Sequence, residues 1–358
     1  MYFGWVTPAS MILLLGGLRS ASGRRARWLV DGALVLALLS YPLFLSFGYR
    51  PVPVGAAQIP LAAIGAAANM LVWYGFAWSF VRAARSGDPR LRSGSRSCWS
   101  AAVGFLVLSS LGAWGVGPAA TLDGAGGLWY QVSLHLFLDL FAEGWLVLVV
   151  LGAAYQRFGA HLRPGREAAL ARWGRRLLIA GLPVSFLFGV SPDLLGSAWR
   201  LVSRLGTGAV GIGLLLQTGV FLRVGARAGS RSHLRYWGFP LVLLSLKALA
   251  QTGAGVGGAE ELVQQRGLRI LYLHVLLLGG VTPGLLAAAA DRWGRKSVRG
   301  IRWFHVSIGA LLLTLVPFTT LWPISLTGGW VHDVAIFGAS LPILAAIVLL
   351  IRTRDVEP

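Results

Sequence analysis

The sequence predicts an all-α polytopic integral membrane protein, a bundle of about eleven transmembrane helices (ten to twelve at the limits). Three observations predict it. Apolar runs of about 20 residues, the length that crosses a bilayer's hydrocarbon, recur along the chain. Hydrophobic residues make up 56% of the 358 and charged residues only 13%, with a mean hydropathy of +0.68, far beyond what a soluble core needs. The charges fall in short clusters between the apolar runs, and no loop exceeds about two dozen residues. The whole chain, 1–358, therefore reads as a single transmembrane helical-bundle domain with no sizeable extramembrane domain.

In chain order the first span is 2–18; its start "MYFGWVTPASMILLLGGLRS" lacks a basic stretch before the apolar run and reads as a span, not a cleaved signal peptide. Next come 29–48, 58–81 ("GAAANM" inside it), 98–117 and 128–155, then 177–192 and 199–222 ("GTGAVGIG"), where small residues let helices approach closely. The last four are 236–254, 268–289, 303–322 and 332–351. In lipid each span must satisfy its own backbone polar groups, which makes each a helix. The alternating ten-residue pattern of a membrane barrel is missing from the sequence. Trp28, Trp129, Tyr130, Trp237, Trp293, Trp303 and Trp330 sit near the inferred boundaries, as interfacial aromatic residues do. No convincing repeat relates the two halves, which disfavours an inverted-repeat transporter.

Charge sets the expected orientation. The loops 19–28, 82–97, 156–176, 223–235 and 290–302 with the tail 352–358 carry 26 of the 32 basic residues. Arg50, Arg200, Arg204, Arg266 and Arg269 lie on the other side, and Lys247 lies mid-span. The positive-inside rule then places the tail in the cytoplasm and the N-terminus outside. The net charge of +19 is thus an orientation and anionic-lipid signal, with the bilayer as partner and no nucleic acid implied. Cys98 is the single cysteine, so no internal disulfide forms.

Ionisable residues inside spans cost about 2.5–3.5 kcal/mol each on the insertion scale and mark function by default. The stretch "SLHLFLDLFAEGW" places His135, Asp139 and Glu143 at i, i+4 and i+8, one face of an α-helix. "RILYLHVLLLGGVTPGLL" brings His274 to a depth matching His135, with Tyr272 beside it and Gly279, Gly280 and Pro283 permitting close approach or a kink. "PLVLLSLKALAQTG" supplies Lys247 and Gln251 on one face; Lys247 is too deep to reach water and wants Asp139 or Glu143 as partner. Arg200 and Arg204, i and i+4 on the outer side, are candidates for holding an anionic group such as haem propionates. His305 and His332, the latter followed by Asp333, are weaker ligand candidates; His161 and His233 read as solvated loop residues.

Several segments resemble a group of largely uncharacterised bacterial membrane proteins related to haem–copper oxidase subunit I and to NnrS-like nitric-oxide-response proteins. They are "LSSLGAW" (108–114), "DLFAEGW" (139–145), "LLSLKALAQ" (243–251) and "RGLRILYLHVLLLGGVTPGLL" (266–286). In that group the second segment has a histidine where this chain has Asp139; here the histidine stands a turn earlier, at His135. The resemblance implies a bundle in the bacterial inner membrane holding haem or metal through histidines in its outer half. His274 carries over, with other membrane or redox subunits as candidate partners. No adjacent histidine pair exists for an oxidase copper centre, so oxygen-reducing chemistry is not expected.

The leading expectation is a haem- or metal-binding membrane protein of redox or nitric-oxide-related character. His135, His274, Arg200 and Arg204 would bind the cofactor, and His135, His274 and Asp139 would form a two-histidine, one-carboxylate set for non-haem iron or another metal. Glu143, Lys247, Gln251 and Tyr272 would supply second-layer contacts or a proton path. The alternative is a proton-coupled transporter using the same His, Asp, Glu and Lys groups as a relay.

Overall fold

The computed structural model describes residues 5–16, 24–48, 52–54, 57–59, 61–85, 92–227, 231–257, 259, 264–294, 298–326 and 328–354. Parts of the basic loops, Arg50, the tail from 355 and the side chain of His233 lie outside the described residues.

Each of the eleven expected spans meets a helix. They are α1 (Thr7–Gly16), α2 (Arg24–Phe47), α3 (Leu61–Arg85) and α4 (Ser93–Asp123). The fifth, α5, runs as an α-helix over Leu128–Asp139, widens to a π-helix over Leu140–Val147 and resumes as an α-helix over Leu148–Phe158. Then come α6 (Arg166–Ser185), α7 (Ser197–Arg227) and α8 (Arg231–Gly257). The ninth, α9, has the same three-part build: Arg266–His274, a π-helix over Val275–Val281, and Thr282–Trp293. The chain ends with α10 (Ile301–Leu315) and α11 (Trp330–Arg354). Among the described residues, nine helices are long and apolar enough to cross a membrane, so the protein is a multi-pass membrane helical bundle. The other two are α1, with ten described residues, and α6, whose first eleven residues carry four arginines.

The helices are often longer than the apolar spans. Apolarity marks the hydrocarbon layer, whereas Ala, Leu and Arg continue a helix past it. Thus α6 starts eleven residues before the expected 177 and stops at Ser185, giving way to a 3₁₀ turn over Phe186–Gly189. A two-stranded antiparallel hairpin, β1 (Val52–Val54) paired with β2 (Ala57–Ile59), interrupts the otherwise helical plan between α2 and α3.

The core gathers on α5, which is the most enclosed of the nine; α2 and α11 are the least. Leu146, Leu148, Val149, Val150 and Leu151 are fully buried. Phe141 stacks on Trp73 at 5.3 Å, and Trp145 meets Phe76 edge-on at 5.9 Å. Beside this core, α6, α7 and α8 form a tight layer. A Cβ added to Gly213 would lie 2.6 Å from the Gly174 carbonyl oxygen, so only glycine permits that approach of α6 and α7. Ser245 on α8 donates to Thr218 on α7 at 2.7 Å, across a helix pair where backbones nearly touch.

Candidate functional site: a buried carboxylate held from two helices

The centre of the bundle contains an ion pair. Lys247 on α8 is 1% exposed and Glu143 on α5 is 6% exposed, with Lys247 Nζ 2.8 Å from Glu143 Oε2. Gln251, one turn along α8, donates through Nε2 to the same oxygen at 3.1 Å. Tyr272 on α9 donates through Oη to Glu143 Oε1 at 2.6 Å. Lys247 also donates to Gln251 Oε1, and its ammonium lies 5.5 Å from the centre of the Tyr272 ring. The Lys247 bond fixes the Gln251 amide: with its oxygen taken by the ammonium, its NH₂ must face the carboxylate. Both oxygens of Glu143 are therefore engaged, by three donors from two other helices.

Local sequence explains this convergence. Lys247 and Gln251 share a helix face because they are four apart. Glu143 lies inside the π segment of α5, and Tyr272 lies just before that of α9. A π-helix adds a residue to each turn, so side chains after Asp139 rotate away from the stripe an α-helix would draw. Glu143 consequently turns into the core while Asp139 stays half exposed, with its side chain 37% accessible. Gly144 packs against Phe105 so closely that a Cβ would come within 2.7 Å of its side chain, which seats the widened turn.

His135 and Asp139 form a second, separate pair, with Nδ1 and Oδ2 3.4 Å apart. The imidazole rests on Gly189, where a Cβ would come within 2.2 Å of Nδ1; only a glycine leaves room for the ring. Asp139 also lies within electrostatic reach of Lys247 and Tyr272.

His274 goes elsewhere. Its Nδ1 is 2.7 Å from the carbonyl oxygen of Ile270, a turn earlier on its own helix and on an exposed side. Tyr272 and His274 are two residues apart, which on an α-helix separates them by about 200° around the axis. With Tyr272 directed at Glu143, His274 faces away from it. Among the described residues no hydrogen bond or ion pair joins His135 to His274, and no three His, Cys, Asp or Glu side chains gather so as to hold a metal ion. Arg200 is exposed and Arg204 half-buried on the first turns of α7. Among the described residues the three-residue set expected for non-haem iron, His135, His274 and Asp139, is therefore not gathered at one point.

The weaker histidines have aromatic neighbours. His305 is buried and stacks on Phe239 at 4.5 Å, and His332 meets Phe318 edge-on at 5.2 Å. His161 is exposed, and its carbonyl accepts from Arg227 at 3.1 Å.

Sequence reasoning missed two further polar links. Trp237 on α8 donates to Asp291 on α9 at 2.8 Å, and Arg157 on α5 lies 3.5 Å from the same carboxylate. Tyr155 and Gln217 both donate to the Ala171 carbonyl, at 2.9 and 3.0 Å. The first was open to detection, because an aspartate at a span's end beside basic loops invites pairing. The second was not, since its acceptor is a backbone atom.

No protein-family model matches the chain, and no curated protein matches it.

Proposed function

We propose that this chain is a proton-coupled transporter of the bacterial inner membrane, with its basic loops in the cytoplasm. One observation carries the reading: a buried carboxylate, Glu143, whose two oxygens are held by Lys247, Gln251 and Tyr272 from two neighbouring helices. An ionisable pair is costly deep in a membrane, and such pairs mark ion and proton pathways. Glu143 is the proton-carrying group. Lys247 is its counter-charge when it is ionised, and His135 with Asp139 is the more accessible pair one turn further out on the same helix. A proton taken up by Glu143 cancels the negative charge that holds Lys247, so loading rearranges the contacts between α5, α8 and α9. That coupling of charge to helix packing is what a carrier requires.

The test is transport by purified protein in liposomes containing an entrapped pH dye. Carboxylates, amino acids, sugars and inorganic ions are added outside in turn. At least one class should drive an internal pH change above that of empty liposomes, and Glu143→Gln should abolish it while the protein still elutes as a folded particle. If no class moves the internal pH, the reading fails. A Soret band in the purified wild-type protein would instead support haem bound to His135 or His274.

A further inference from the structure

We infer that the three donors around Glu143 form a receptor for a small monocarboxylate anion, which the chain's own carboxylate fills at rest. The geometry is that of a carboxylate-binding site. Tyr272 Oη addresses one oxygen at 2.6 Å, and Gln251 Nε2 and Lys247 Nζ address the other at 3.1 and 2.8 Å. Charge-assisted donors distributed over both oxygens are how proteins bind carboxylates in general. None of the three donors belongs to the helix that carries Glu143. The set is therefore complete without Glu143, and it is rigid, because the Lys247–Gln251 bond fixes the amide's orientation.

Charge balance names the occupant. The groups around Glu143 are Lys247 and Tyr272 in contact, with Asp139, itself paired to His135, at longer range. When Glu143 takes up a proton it becomes neutral, and the buried ammonium of Lys247 is left without its contacting counter-ion. A buried charge stripped of its partner is strongly unfavourable, and a monovalent anion entering beside it restores neutrality. One proton on Glu143 and one anion on Lys247 then leave together, and the resting pair reforms. Substrates with a second charge would leave the site unbalanced. This names the substrate class of the proposed carrier and rests on that reading only for the joint movement of proton and anion; the receptor rests on geometry alone.

The test separates the two claims. Glu143→Ala empties the receptor, so sodium formate or sodium acetate should raise the thermal midpoint of the full-length variant in detergent. The rise should saturate at about 3 °C or more, whereas sodium chloride at equal ionic strength does less. Adding Lys247→Met to Glu143→Ala should abolish the effect. Should Glu143→Ala fail to fold, Glu143→Ser also opens the receptor, leaves Lys247 uncompensated and should show the same preference. If formate and acetate stabilise neither variant beyond chloride, the receptor is refuted, whatever the liposome assay shows. Anion stabilisation without any solute-linked proton movement would keep the receptor and refute the carrier.

Discussion

Lys247 is the side chain whose replacement should cost most. Its ammonium is enclosed, and Glu143 and Gln251 both depend on it. Lys247→Met leaves Glu143 buried without its counter-charge and should destabilise the protein by about 3 kcal/mol or more. Combining it with Glu143→Gln removes the stranded charge, so the double variant should be more stable than Lys247→Met alone. Thermal unfolding of the four proteins in one detergent gives the cycle; additive effects would mean that the pair is not coupled. Tyr272→Phe removes one donor to a carboxylate and should cost about 1.5–3 kcal/mol by the same measurement. At this scale the sequence was partly legible. The i, i+4 spacing of Lys247 and Gln251 and the need of a deep lysine for a carboxylate are sequence facts. Which carboxylate it meets is not, because that depends on a π turn that no residue pattern announces. The same limit applies to Tyr272 and His274: both are polar and only two residues apart, and only the packing of α9 decides which one turns inward.

The paired π segments and the glycine-lined contact of α6 with α7 set positions that single residues cannot. Glycine at 213 faces backbone, with the Gly174 oxygen 2.6 Å and the Leu178 nitrogen 2.7 Å from where a Cβ would stand, whereas Gly219, two turns on, has nothing within 4 Å. Gly213→Ala should therefore cost about 1–3 kcal/mol through overpacking. Gly219→Ala should be neutral, or stabilising by up to about 1 kcal/mol. Comparable melting of the two variants would show that the close approach does not matter. Outside the membrane, Glu167 at the start of α6 accepts from Arg227 at the end of α7 at 2.9 Å and from the Arg163 N–H at 3.1 Å. The Arg227 hydrogen bond above all, with that of the Arg163 backbone, holds the Glu167 carboxyl at about 2, below its ordinary 4.5. A carboxylate lowered on folding stabilises the fold above its unfolded value, and that contribution is lost as pH falls from 4.5 towards about 2. Melting of wild type should fall more steeply than that of Glu167→Gln across this window; parallel curves would mean that the tie between α6 and α7 does not form.

For the molecule as a whole, the number of helices was legible because hydrocarbon thickness imposes a length on every crossing, and their ends were not, because helices continue into the headgroup layer. Orientation rests on the basic loops alone, and it decides which side the His135–Asp139 pair opens towards. The loop joining α4 to α5 holds Gly126, exposed and with open space around it, and the turn joining α5 to α6 holds His161, also exposed. They lie at opposite ends of α5, so they report opposite sides of the membrane. Cys98 is fully buried, which leaves a low labelling background from the native thiol. In intact spheroplasts a membrane-impermeant maleimide should label Gly126→Cys and spare His161→Cys; permeabilisation should expose both. The reverse pattern would turn the protein over, put the basic loops outside and make His135 and Asp139 a cytoplasmic-side pair. Labelling of both in intact cells would mean that α5 does not cross, and the buried pair of Glu143 and Lys247 would then lie in no membrane at all.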